Sequence, residues 1–202
     1  MPRHESTSTA ASMSVLEAIC ERRSVRSYSP QAVGRGDIQS LLDAAVLAPT
    51  AVHEEPWRFV VIQDREMLRR LSDSALTELK KGVRDVHLPA RGARHFEPPE
   101  NVFYNAGTLI AIYGEPLGHF VAADCWLAAE NLMLAARAMG LGTCVIGLAV
   151  SALNLPEWKK ELGVPADLTA YAPIIVGVPA GETPATGRKE PNVLCWKTGL
   201  MG

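Results

Sequence analysis

The 202-residue sequence predicts a sheet packed on its faces by helices, an α/β-type or α+β fold. Three observations carry that expectation. Compact apolar runs that read as strands, WRFVVIQD, TLIAIYG and AYAPIIVGVP, are separated by stretches with helical periodicity. Hydrophobic residues make up 48% of the chain and charged residues 21%, the balance of a globular domain able to bury its own core. No internal repeat and no linker divides the chain, so residues 13–202 are expected to form a single domain.

The elements follow in order. Residues 1–12, MPRHESTSTAAS, lack the apolar core of a secretory signal and read as a disordered leader. Ser14 followed by Glu17 has the spacing of a capping box, opening a short helix in which Val15, Leu16, Ala18 and Ile19 are apolar. The run RRSVRSYSP ends it, because Pro30 forbids a continuing helix. Asp37 is expected to cap a second helix, where Ile38, Leu41, Leu42 and Ala45 recur at helical spacing, and Pro49 stops it. After a loop at 50–56, WRFVVIQD reads as a buried strand. A third helix spans about 65–81, with Leu68, Leu71, Ala75 and Leu79 on one face.

Residues 82–101 then dissolve into Gly, Pro, His and Arg, too long for a plain connection and expected to be a mobile or functional segment. TLIAIYG is the second strand. Residues 120–139 form a long helix, apolar nearly all round and so expected to be buried on most sides. Its Asp124, Glu130, Asn131 and Arg137 break the apolar run and exclude a membrane span. GLGTCVIG is a glycine-bounded strand or turn. Ser151 or Asn154 is expected to cap a helix with Pro156 near its first turn, closed by Gly163. AYAPIIVGVP is the last core strand. The tail, 180–202, is polar and broken by Pro and Gly, yet carries Leu194 and Trp196. Such a tail needs a surface to dock on, in its own domain or on a partner subunit.

A net charge of −2 gives no general pull toward nucleic acid or an anionic membrane. The cysteines Cys20, Cys125, Cys144 and Cys195 form no CxxC pair and no zinc spacing. They read as free thiols in a reducing cytosol, which points to a cytoplasmic protein. The residues alone go no further than a soluble, oligomeric domain of this class.

Four separated segments together resemble the FMN-dependent nitroreductase family: ERRSVRSY at 21–28, APTAVHEEPWRFVVI at 48–62, AAENLMLAARAMGLGTCVIG at 128–147 and PIIVGVPAGETPATGRKEP at 173–191. Their order and spacing match the family over nearly the whole chain. The resemblance implies an α+β three-layer sandwich, with a central, mostly antiparallel sheet flanked by helices. It also implies a homodimer whose C-terminal tail docks on the partner, FMN as cofactor, NADH or NADPH as electron donor, and a small-molecule electron acceptor.

The site residues are carried over position by position. FMN bears a phosphate dianion that calls for Arg or Lys. Arg22, Arg23, Ser24 and Arg26 place three cations in five residues just after a helix. By resemblance, Arg22 meets the phosphate and ribityl end, and Arg26 approaches the pyrimidine edge near N1 and the C2 carbonyl, where it favours the reduced, anionic ring. Arg188 and Lys189 match the basic pair that closes over the phosphate. Val145, Ile146 and Gly147 line the ring near N5. Pro49, Thr50, Ala51 and His53 match the loop that reaches the flavin of the other subunit. Here the chain departs from the usual pattern: His53 stands for an asparagine and Glu55 for a glutamine. Imidazole, unlike an amide, can carry charge, so this loop is expected to make the flavin pH-sensitive. Glu55 pairs with His53 if the loop turns back on itself.

The mechanism implied is hydride transfer from NAD(P)H to flavin N5, then electron transfer to a nitroaromatic, quinone or similar flat acceptor. Both substrates share one ring face, so the kinetics should be ping-pong. No nucleophile, triad or metal has credible spacing. The same fold also accommodates reductive dehalogenation, dehydrogenation or flavin breakdown, with 82–101 as a lid carrying His87, Arg94 and His95, or a non-catalytic FMN carrier.

Overall fold

A computed structural model describes residues 13–81 and 99–199. The leader at 1–12 and residues 82–98, with His87, Arg94 and His95, lie outside the described residues.

α1 (Val15–Glu21) opens on the expected capping box. The Glu17 N–H donates to Ser14 Oγ at 3.2 Å, and the Ser14 N–H donates to the Glu17 carboxylate at 2.7 Å. α2 (Arg35–Val46) starts earlier than expected. Gly34 is its N-cap and no side chain caps it, so Asp37 lies in the first turn instead of before it. There its carboxylate still faces the positive end of the helix dipole.

The described strands form a four-stranded sheet in the order β1 (Trp57–Ile62), β2 (Thr108–Gly114), β4 (Thr169–Gly177), β3 (Gly142–Val145), and every neighbouring pair is antiparallel. Every residue of β2 is buried. Its sequence shows no alternation because both faces of this inner strand are covered by helices. On one face α3 (Arg65–Lys81), α5 (Val150–Leu153) and α6 (Pro156–Leu162) pack over Leu109, Ala111 and Tyr113. On the other, α2 and α4 (Val121–Ala138) pack over Ile110, Ile112, Ile174 and Val176. The result is the expected α+β, three-layer arrangement. A bulge sets the two cores: Ile112 pairs with Ala172 but Tyr113 with Ala170, leaving Tyr171 as the extra residue. Ala170 therefore joins one core and Ala172 the other.

Two further expectations need correction. Neither Ser151 nor Asn154 caps the helix holding Pro156. Leu155 is the N-cap of α6 and Pro156 its first residue, while Ser151 lies inside α5 and Asn154 ends it. The Asn154 side chain is spent elsewhere: it accepts from the Ala170 N–H at 2.9 Å and donates to the Ala170 carbonyl at 3.1 Å, clamping α5 to β4. The long helix is also less buried than its composition suggests. Trp126 and Leu127 are 44% and 45% exposed, and Phe120, just before the helix, is 67% exposed. α1 packs against α4, and its Val15, Leu16 and Ile19 are exposed as well.

Candidate functional site

Where α1 stops, the chain runs on in extended form along β3 and the end of β4. Ser24 forms a parallel bridge to Thr143, and the Val25 N–H donates to the Thr143 carbonyl at 2.9 Å. Tyr28 bridges Pro179, the Ser29 N–H donates to Val178 at 2.8 Å, and the Ala180 N–H returns a bond to Ser27 at 3.0 Å. Two glycines make this docking possible. A Cβ on Gly142 would come within 2.9 Å of the Val25 side chain, and one on Gly177 within 2.6 Å of the Tyr28 ring. The arginine cluster at 22–26 is thereby seated beside the 145–147 turn, where Val145 pairs with Ile174 and the Ile146 N–H donates to Pro173 at 2.8 Å.

The cations take different positions. Arg22 caps the end of α1, and its Nε lies 3.7 Å from the Glu130 carboxylate. Arg23 donates to the carbonyls of Cys20 at 2.6 Å and Arg22 at 2.8 Å, tying off the end of the helix. Arg26 is exposed, and its guanidinium lies over the Tyr104 ring, 5.9 Å from the centroid. The buried Cys144 thiol sits beside Ser24 and Arg26; burial pushes it up, and the neighbouring cations only partly offset this. Burial also lifts the Tyr28 hydroxyl far above its usual range, and Cys144 adds to the effect.

A cavity of about 490 Å³ opens at this edge, lined by the cations Arg22, Arg23 and Arg137, by the acids Glu21 and Glu182, and by Val25, Thr143, Gly181, Thr183 and Ala185. Its size falls within the roughly 300–1,000 Å³ of small-molecule pockets. Arg137, from the last turn of α4, pairs with Glu21 at the end of α1, and its buried Nε has no hydrogen-bond partner. Gly147 is exposed, and a Cβ there would meet nothing within 4 Å, so main chain faces open space. Arg188 and Lys189 lie just past the tail residues that line the cavity, both exposed, with Arg188 donating to Thr186 Oγ1 at 3.0 Å. These features suit a ligand with an anionic end and a flat body, and FMN is such a ligand.

The second loop stands apart. The Ala51 N–H donates to the carboxylate of Asp124, a buried acid in the first turn of α4, at 3.1 Å. The Glu55 N–H donates to Thr50 Oγ1 at 3.4 Å. Val52, His53 and Glu55 have φ of 47°, 59° and 48°, the left-handed region that a β-branched residue seldom enters. Val52 is 84% exposed, and Pro49 and His53 are exposed too. His53 and Glu55 do not form an ion pair in the structure. No described contact joins this loop to the arginine cluster within the chain. It is fastened near the start of α4, whereas Arg22 meets the same helix at Glu130 and Arg137 leaves from its last turn.

Sequence reasoning missed Tyr104 and Arg137, for which no local signal exists. Asp124 had one: a lone acid near the start of an apolar helix.

Residues 19–178 match the nitroreductase family. A protein of Methanothermobacter thermautotrophicus with the provisional name NADH dehydrogenase/NAD(P)H nitroreductase is 32% identical over 174 residues, covering 86% of this chain and 81% of its own length. One of Archaeoglobus fulgidus with the same provisional name is 29% identical over 172 residues, covering 83% and 86%. Among solved structures, a nitroreductase with bound FMN from Bacteroides fragilis superimposes with a TM-score of 0.77 at 29% identity, over 91% of this chain and 98% of that one.

Proposed function

The chain belongs to the nitroreductase family, and from that premise we propose that it is a homodimeric, cytoplasmic FMN oxidoreductase that carries electrons from NADH or NADPH to flat acceptors such as nitroaromatics and quinones. FMN, when bound, would supply the redox chemistry that links a nicotinamide donor to the acceptor. The protein's task is to bind, orient and tune it.

The observation that carries the reading is the seating of the 22–26 cluster against β3, beside a cavity rich in arginine and an open glycine turn. Arg22 holds the phosphate end, with Arg188 and Lys189 closing over it from the tail. Arg23 supports this end by fixing the last carbonyls of α1. Ser24 offers a hydroxyl to the polar middle of the ligand. Arg26 places a fixed charge at the pyrimidine edge, and the main chain of Val145, Ile146 and Gly147 lets the ring approach closely. Pro49, Thr50, Ala51 and His53 serve the partner subunit's site, which accounts for the exposure of Pro49 and His53 and for the loop's lack of contact with the cluster within one chain. The exposed apolar residues of α1 and α4 and the tail's Leu194 and Trp196, 91% and 81% exposed, supply the surface for that partner.

A turnover panel tests the acceptor class. The FMN-loaded protein with NADH or NADPH should reduce nitroaromatics and quinones with parallel double-reciprocal plots, the mark of ping-pong kinetics. Turnover confined to halotyrosines or oxygen would assign a different reaction to this fold.

A further inference from the structure

We infer that Tyr104 is a positioning residue for Arg26, holding the guanidinium over its ring so that charge and hydrogen-bond donors stay free for the pyrimidine edge of the flavin. The inference rests on the cofactor reading above. Arg26 is exposed, and among the described residues it forms no ion pair, unlike Arg22, Arg58, Arg69, Arg70 and Arg137. Its neighbours include the uncharged Cys144 thiol and a ring: the Arg26 guanidinium carbon lies 5.9 Å from the Tyr104 centroid, inside the reach of about 6 Å for a cation–π contact. A carboxylate in that place would engage the fork and cancel the charge. An aromatic face attracts the cation while leaving its net charge and its N–H groups unspent.

Tyr104 is held in that position against its own backbone preference. Tyr104 and Asn105 are consecutive residues at φ 51° and 56°, a region that suits asparagine and strains a bulky side chain. The surrounding turn enforces it. Asn101 Oδ1 accepts from the Phe103 N–H at 2.8 Å, and Asn101 Nδ2 donates to Asn105 Oδ1 at 3.0 Å. The Val102 N–H donates to the buried Ser72 hydroxyl at 3.0 Å, and Phe103 is inserted in the core. Asparagine would sit here with less strain than tyrosine, so the local backbone does not call for a tyrosine. A ring is called for by its two contacts, the core against which Tyr104 is half-buried and the Arg26 guanidinium on its face.

The test uses the full-length, FMN-loaded protein with Tyr104→Asn, which removes the ring and relaxes the backbone, and Tyr104→Phe, which keeps the ring. The readouts are thermal stability, the dissociation constant of oxidised FMN and the flavin midpoint potential. Tyr104→Asn should still fold, losing the ring's core contacts and regaining some stability from the relaxed backbone, and should lose about threefold to fivefold of its preference for reduced over oxidised FMN, read from the potential. Tyr104→Phe should match the wild type. In an Arg26→Ala background, Tyr104→Asn should change the potential no further. A Tyr104→Asn protein that folds, binds FMN and keeps the wild-type potential overturns the inference, as does an equal shift in the Arg26→Ala background. If the wild-type protein takes up no FMN, the cofactor reading itself falls, and this inference with it.

Discussion

Arg26 and Arg188 differ in what surrounds them, and so in what their loss should do. Arg26 is an exposed, unpaired cation beside an aromatic ring, and its proposed target is the ring edge, whose charge changes with redox state. Arg188 lies on the tail, and its proposed target is a phosphate of constant charge. Arg188→Ala should weaken FMN binding by about tenfold to a hundredfold, the worth of one charge-assisted hydrogen bond, and leave the midpoint potential alone. Arg26→Ala should lower the potential more than it weakens binding of oxidised FMN. Titration of the apoprotein and a redox titration of each variant decide it; equal effects on both quantities would refute this division. The cluster itself was legible because the motif is local, several cations within a few positions of a helix end. Tyr104 was not legible, and Asp124 stood out only as an acid in an apolar helix, its partner hidden. The Asp124 bond to Ala51 joins positions 73 apart, and the Tyr104 ring meets Arg26 only through tertiary packing.

Among the elements, the extended segment after α1 is the one on which the site depends. Its side chains press directly on glycines of the sheet, Val25 on Gly142 and Tyr28 on Gly177. Gly177→Ala should therefore push the Tyr28 ring outward and loosen the strip that carries Arg22 and Arg26. A stability loss of about 1–3 kcal/mol is expected from such overpacking, together with weaker FMN binding, measured by denaturant unfolding and FMN titration. Unchanged values for both would show that the segment is not seated as described. Apolar periodicity located the helices and strands because burial imposes it. Helix starts were less legible. Asp37 and Asn154 are residue types that cap helices, but Gly34 and Leu155 hold those positions. Asn154 instead bonds the backbone of β4, a demand of tertiary structure that its neighbours in sequence do not reveal.

For the whole molecule, the exposed apolar residues and the tail argue together for a second copy. Composition made α4 look buried on most sides, and within the single chain its Trp126 and Leu127 are exposed. The difference is explained if the missing cover comes from another subunit, as obligate interfaces are apolar and large. Full-length protein should sediment at twice the chain mass at low micromolar concentration, and Trp196→Ala should raise the dimer dissociation constant by about thirtyfold or more, as for an anchoring aromatic residue. An FMN-bound monomer would contradict the shared site. The most direct test of the central claim is an anaerobic titration of the purified, FMN-reconstituted protein with NADH and with NADPH, following the visible absorbance band of the oxidised flavin. The account predicts a yellow protein that releases FMN on denaturation and whose band bleaches with about one equivalent of at least one donor per flavin. A protein that stays colourless with FMN present, or a bound flavin that stays yellow with both donors, would contradict it.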